Sequence, residues 1–222
     1  MSASRYLAVR GVTDRVVAGV GLVVAAPVML GVAVAILASM GRPVLFRQER
    51  VGRHGRRFSI VKFRTLVRDA ERLGDGYVLP GMDLVPPLGR VLRASSLDEL
   101  PQLWNILVGD MAFVGPRPTI PDQYERYTAR QRGRVAVPQG ITGLAQLRYR
   151  DSAPWSVRIE SDLEYAATVS LATDLRLLAA TVGAVLRRDG VVQHQTPEDI
   201  DDLGDRRTRV EDDAATTEGT IR

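Results

Sequence analysis

The sequence predicts a mixed α/β fold, mainly helical, that is held at a membrane by its N-terminal region. Three observations carry that prediction. Residues 16–41 form a run of 26 residues without a charge. Residues 44–51 and 58–66 read as two strands joined by a turn rich in Gly and Arg. Further on, apolar residues recur at helical spacing, as at Leu100, Leu103, Trp104 and Leu107.

A straight helix over the uncharged run would span roughly 39 Å, more than the hydrocarbon core of a bilayer. The run is also too long for the apolar core of a signal peptide. Pro27 falls inside it and is expected to break or kink the helix. The two halves, residues 16–26 and 28–41, are each too short to cross alone. Both flanks are basic, with Arg10 and Arg15 before the run and Arg42, Arg47 and Arg50 after it. Such symmetry fits two ends on the same, cytoplasmic side. The expectation is a re-entrant helix hairpin over residues 10–41, followed by a body over residues 42–195.

The hairpin comes next, with Gly52-Arg53-His54-Gly55-Arg56-Arg57 as its turn. Alternation puts Phe58, Ile60, Lys62 and Arg64 on one face of the second strand and Val61 and Phe63 on the other. Lys62 is the sole lysine among 30 basic residues. A chain so biased toward Arg keeps a compact ammonium there in place of a planar fork. Residues 67–76 read as a short helix and residues 77–88, with four Pro and Gly breakers, as a loop.

Residues 119–133 read as a polar helix and residues 139–146 as a Gly-punctuated loop. Residues 160–188 read as one helix whose Leu171, Leu175, Leu178 and Val182 form a stripe, either core or interfacial. Residues 196–222 hold nine acids and four Arg, a net charge of −5, and read as a disordered tail. The remainder, net +9, suits an anionic partner. There is no Cys and there are only two His, so carboxylates must carry any acid–base or metal chemistry.

The central stretch is Arg93 to Leu107, continued by Gly109-Asp110-Met111 and Gly115-Pro116-Arg117-Pro118. Ser96 followed by Glu99 fits a capping box, and Pro101 fits a first turn. Asp98 and Glu99 then sit at a helix start, where acids stabilise the dipole without any chemistry. Their basic company, Arg93 and Arg117, points instead to a site for an anionic substrate and a metal.

Ser96-Leu97-Asp98-Glu99-Leu100-Pro101-Gln102-Leu103-Trp104-Asn105, with Gly109-Asp110-Met111 and Gly115-Pro116-Arg117-Pro118, resembles the core signature of the bacterial sugar transferases, the monotopic polyprenyl-phosphate phosphoglycosyl transferases. The resemblance extends over about residues 10–190 and includes Lys62-Phe63-Arg64-Thr65 and the Gln139 to Gln146 stretch. It departs from the family at Ala26-Pro27, where Ser-Pro is usual, and at Leu84 and Pro86, where Arg and Thr are usual. It implies transfer of a sugar 1-phosphate from a UDP-sugar to polyprenyl phosphate at the cytoplasmic face of a bacterial plasma membrane. It implies Asp98 as nucleophile, Glu99 (with Asp98) as Mg²⁺ ligand, and Lys62, Arg64, Arg93, Arg117 and Gln146 as substrate-binding residues. A homodimer is allowed, and the helical body is expected to lie on the leaflet through interfacial helices. The multi-span extension of some similar enzymes is expected to be absent, since no second apolar run of this length exists. The alternative is a non-enzymatic, membrane-anchored basic domain that binds anionic lipid or nucleic acid. An aromatic fraction of 5%, with no aromatic-rich basic strand, argues against nucleic acid.

Overall fold

The structure, a computed structural model, describes residues 2–68, 70, 84–149, 153–186 and 202–203. Helix α1 (Ala3–Met40) is followed by strands β1 (Leu45–Val51) and β2 (Arg57–Phe63), then helices α2 (Pro87–Ala94) and α3 (Gln102–Val108). Strand β3 (Ala112–Val114), helix α4 (Pro121–Glu125), strand β4 (Gly140–Thr142), and helices α5 (Leu144–Tyr149), α6 (Trp155–Thr168) and α7 (Leu171–Leu186) complete the described elements. The prediction of a mainly helical mixed fold is met. Most of the expected helix over residues 67–76 and part of the loop over residues 77–88 lie outside the described residues.

Helix α1 differs from the expected pair of half-helices. Its 38 residues run on through Pro27, which stands exposed in mid-helix. Proline removes one bond, to the carbonyl of Val23, and that loss weakens a helix without having to end it. From Val16 on the helix is apolar on every side, so one face can bury while the rest stays uncovered. Val9, Val12, Val16, Val20, Val23, Val24 and Leu30 are all exposed by half or more. Only 11% of its most apolar 18-residue window is buried.

The buried face touches the body from one end to the other. Leu7 packs with Val114, Tyr165 and Leu177. Ala18 sits among Phe58, Ile60, Ile106 and Met111. Val32 and Ile36, with Met29 and Met40, pack on Phe63 and Leu92. A polar clasp fastens the N-terminal end. Arg10 donates to Tyr165 and to Asp174 at 2.8 Å, and Tyr6 and Tyr165 donate to the same Asp174 at 2.5 and 2.7 Å.

The hairpin forms as expected, β1 antiparallel to β2 with Phe46 opposite Lys62 and Gln48 opposite Ile60. It ends three residues earlier than the sequence reading, because Arg64 turns to cap α1. Phe58 and Ile60 bury in one cluster and Phe63 in another, as alternation requires. The free edge of β2 is closed by a side chain: Asn105 accepts from Val61 N at 3.0 Å and donates to Ser59 O at 2.8 Å.

Three further expectations need correction. The helix read over residues 119–133 is cut short: α4 ends at Glu125, and a 3-10 turn (Gln131–Val135) follows. A reciprocal exchange between Thr128 and Gln131, each side chain bonding the other's backbone N–H, starts that new turn. The helix read over residues 160–188 is two helices, α6 and α7. Ser170 Oγ accepts from Thr173 N at 3.2 Å and so caps the start of the second. The loop read at residues 139–146 contains β4, which pairs in parallel with β3. In the segment read as a disordered tail, Asp202 accepts from Ser156 N at 3.0 Å, and Leu203 is fully buried with Tyr127 and Ile159. Of the α7 stripe, Leu171, Leu175 and Val182 are exposed while Leu178 packs on the core with Tyr165 and Leu177, and Asp174 faces inward.

Candidate active site

The two central carboxylates lie on a 3-10 turn (Leu97–Glu99) between α2 and α3. The expected capping box is not made. Ser96 adopts the left-handed region with φ 56° and offers no side-chain cap. The Glu99 side chain therefore points elsewhere. Non-glycine residues rarely hold such a φ, and a site is where that strain is tolerated.

Glu99 Oε1 accepts a bond from Lys62 Nζ at 2.6 Å and from both Arg117 Nη atoms at 3.3 Å. The cluster thus joins strand β2, the 3-10 turn and the Gly115-Pro116-Arg117-Pro118 turn, from three separate parts of the chain. Burial raises the Glu99 pKa, but the Lys62 and Arg117 charges outweigh it and bring the carboxyl down to about 2. Asp98 is 9% exposed. Burial pushes its pKa up and the Glu99 charge adds to that, against the pull of Lys62, Arg93 and Arg117. Lys62 is pushed down by burial first and by Arg117 second, with Glu99 opposing. Two adjacent carboxylates are thus pushed in opposite directions: Glu99 down, between two cations, and Asp98 up, by burial.

Supporting contacts fix these parts. Asn105 ties β2 to α3 and so sets Lys62 against the turn. Arg93 Nε donates to Thr65 Oγ1 at 2.9 Å. Helix α2 approaches Thr65 so closely that a Cβ on Gly89 would lie 2.1 Å from its carbonyl oxygen. The Pro-Arg-Pro turn leaves the end of β3, where a Cβ on Gly115 would meet Pro138 O at 2.2 Å.

Of the seven sequence-derived site residues, Lys62, Asp98, Glu99 and Arg117 form one cluster, and Arg93 acts on Asp98 by charge. Arg64 has a different position. It is 6% exposed and its Nη2 donates to Met40 O and Gly41 O at 2.6 and 2.7 Å. A cation there satisfies the last carbonyls of α1 and complements its dipole. Gln146 Nε2 donates to Ile141 O at 2.9 Å, which ties it to β4.

The periodicity read at Leu100, Leu103, Trp104 and Leu107 holds in part: Leu103 and Leu107 pack on the core with Ala18 and Ile106. Gln102, Asn105 and Ile106 are the buried residues of α3. Leu103 and Leu107 face Gly21 and Gly19 of α1, and Trp104 is 55% exposed. Asn105 is buried because both ends of its amide bond the edge of β2.

Among the described residues no group of three or more His, Cys, Asp or Glu is placed to hold a metal. A pair of carboxylates fits Mg²⁺, which takes one or two and completes its shell with water and phosphate oxygens.

A profile of the bacterial sugar transferases matches residues 5–188, which contain every residue of this cluster. The chain belongs to the bacterial sugar transferase family. It is 42% identical over 168 residues to the sugar transferase EpsL of Bacillus subtilis, covering 75% of this chain and 82% of that one. It is 39% identical over 186 residues to a UDP-glucose:undecaprenyl-phosphate glucose-1-phosphate transferase of Caulobacter vibrioides, covering 80% of this chain and 70% of that one. With an undecaprenyl-phosphate galactose phosphotransferase of Salmonella typhimurium it shares 34% identity over 184 residues, 76% of this chain but 38% of the relative.

In this sugar transferase two contributors to the site were missed by sequence reasoning: Asn105 and Thr65. Asn105 and Thr65 stand inside the quoted motifs, which is the only signal the sequence offers for them.

The lysine gives a test. Lys62→Arg is expected to fold normally and to lower turnover by about tenfold, the worth of one charge-assisted bond. A planar guanidinium cannot place a point charge 2.6 Å from Glu99 in a space shaped for an ammonium. Steady-state kinetics check this, and unchanged kinetics would make the lysine incidental.

Proposed function

We propose that the chain transfers a sugar 1-phosphate from a UDP-sugar to polyprenyl phosphate, giving UMP and a polyprenyl-diphosphate sugar. The observation that carries the reading is the Lys62–Glu99–Arg117 cluster beside buried Asp98. Both substrates are anions, so an attacking carboxylate needs cations around it. Lys62, Arg93 and Arg117 supply that charge. Printed names of relatives, with undecaprenyl phosphate as acceptor and UDP-glucose as donor, support the substrate classes.

In this reading an Asp98 oxygen attacks the phosphorus that bears the sugar, and the bond from that phosphorus to UMP breaks. A phosphate oxygen of the polyprenyl acceptor then attacks the same phosphorus and frees Asp98. Glu99, with Asp98, would hold Mg²⁺, which offsets phosphate charge when bound. Glu99 is already ionised and fixed in place by Lys62 and Arg117. Arg117, held by two prolines, would present its guanidinium to phosphate with little ordering cost. The wild-type enzyme is expected to release UMP from UDP-sugar in a burst of at most one equivalent per site without acceptor. No release until polyprenyl phosphate is added would rule out the covalent route.

The membrane reading is that α1, unbroken at Pro27, lies with its exposed apolar side in one leaflet, with the body on the cytoplasmic face. It is supported by contacts at both ends of α1 with the same body. A helix crossing the bilayer would leave one end on the far side. The chain has no Cys, so single cysteines can be placed at Ala3 and Arg56 for labelling in intact cells. Both are expected to be shielded from an impermeant reagent outside. Labelling at position 3 with position 56 protected would mean a spanning helix.

A further inference from the structure

The turn that carries Arg117 is built almost without bonds of its own. Pro116 and Pro118 have no N–H to give, so the turn cannot brace itself through those positions. Each of its carbonyls is held from outside. Gly140 N donates to Pro116 O at 3.0 Å, and Arg50 Nη1 to Pro118 O at 3.1 Å. Val51 N donates to Thr119 O at 2.9 Å. The carbonyl of Arg117 itself is held by a side chain, Arg134 Nη2, at 2.9 Å.

Arg134 is 2% exposed and fully engaged. Its Nε donates to Asp162 Oδ2 at 2.9 Å, its Nη2 reaches the same oxygen, and its Nη1 donates to Tyr127 Oη at 3.0 Å. Tyr127 Oη in turn donates to Thr119 Oγ1 at 3.1 Å, inside the segment that Arg117 belongs to. Asp162 is 2% exposed on α6. A buried pair of this kind gains no clear stability over an apolar pair of similar volume, so stability alone does not account for it. What the guanidinium provides is a rigid fork that fixes α6, Tyr127 and the Arg117 backbone in one geometry.

We propose that Arg134, oriented by Asp162 and Tyr127, is a positioning residue that sets the Arg117 guanidinium over Glu99 and the donor phosphate. This rests on the reading of Arg117 as a phosphate-binding residue.

The test is a double-mutant cycle on full-length, detergent-purified protein, scored by the rate of UMP release from UDP-sugar and by donor KM. Arg117→Ala is expected to slow release by about 10²-fold, the usual cost of one preorganised donor. Arg134→Lys keeps a charge opposite Asp162 but loses the fork, and is expected to cost about tenfold or more through misplacement of Arg117. Tyr127→Phe, which keeps the ring and removes the hydroxyl, is expected to act in the same direction and to fold, with a melting temperature only a few degrees lower. It carries the test alone if Arg134→Lys melts early. In the Arg117→Ala background either change should add less than about twofold, since nothing is left to position. Equal cost in both backgrounds, or wild-type rates in Tyr127→Phe and folded Arg134→Lys while Arg117→Ala is impaired, would overturn the proposal and leave Arg117's role intact. Wild-type rates in Arg117→Ala would instead overturn the phosphate-binding reading, and the positioning role with it.

Discussion

Asp98→Asn is expected to abolish both the UMP burst and any phosphosugar adduct on the protein, with turnover down on the order of 10⁴-fold or more. The substitution keeps size and shape and removes only the anion. Asn caps a helix nearly as well as Asp, so a purely structural carboxylate would tolerate it. The structure sharpens this contrast. Ser96 makes no cap and Asp98 is 9% exposed beside a second carboxylate and under three cationic charges. A neutral amide in that place removes a buried like-charge neighbour of Glu99 and should leave folding intact. Intact-mass measurement after incubation with UDP-sugar checks the adduct directly. Glu99→Gln is expected to fail as well, but with partial recovery at raised Mg²⁺, because its loss would weaken metal and Lys62 placement and leave the nucleophile. Near-normal turnover of Asp98→Asn would remove the covalent mechanism from consideration.

The second large effect is structural and lies at the other end of α1. Arg10→Leu is expected to destabilise the protein by about 3–5 kcal/mol, because it leaves Asp174 buried without its cation. Asp174 is 4% exposed and receives bonds from Tyr6, Arg10 and Tyr165. Two tyrosine hydroxyls cannot replace the guanidinium charge. Melting in detergent, followed by circular dichroism, should show a midpoint lower by on the order of 10 °C. Limited trypsin digestion should begin at Arg5, as the end of α1 comes away from α7. The double variant Arg10→Leu/Asp174→Leu should recover much of the loss, since it removes the stranded charge together with its partner. A single Arg10→Leu as stable as wild type would show that apolar contacts such as Leu7 hold this end without the clasp.

The residues that meet around Glu99 could be named from the chain, because each stands out locally. Asp98 and Glu99 stand side by side, Arg117 lies between two prolines, and Lys62 is the sole lysine. The uncharged run, the hairpin and the helical character of the body could also be read, since each depends on local pattern. Local pattern reports which residues are apolar; it does not say what they face. Leu103 and Leu107 do pack on the core with Ala18 and Ile106, but Trp104, assigned to the same stripe, stands 55% exposed, while polar Gln102 and Asn105 turn inward. Arg64 shares a strand face with Lys62 by alternation, yet it bonds the carbonyls at the end of α1. The break between α6 and α7 was missed because a Ser cap competes with a continuous apolar pattern.

What the sequence by itself determined was the set of charged groups and the kind of reaction they could serve. What only the tertiary structure decided was which of them meet. Glu99 is joined to Lys62 across 37 residues, Arg134 to Asp162 across 28, and Arg10 to Asp174 across 164. No periodicity encodes such pairs. A buried charge can be kept only where packing brings its partner within hydrogen-bond distance, and that distance is a property of the assembled core.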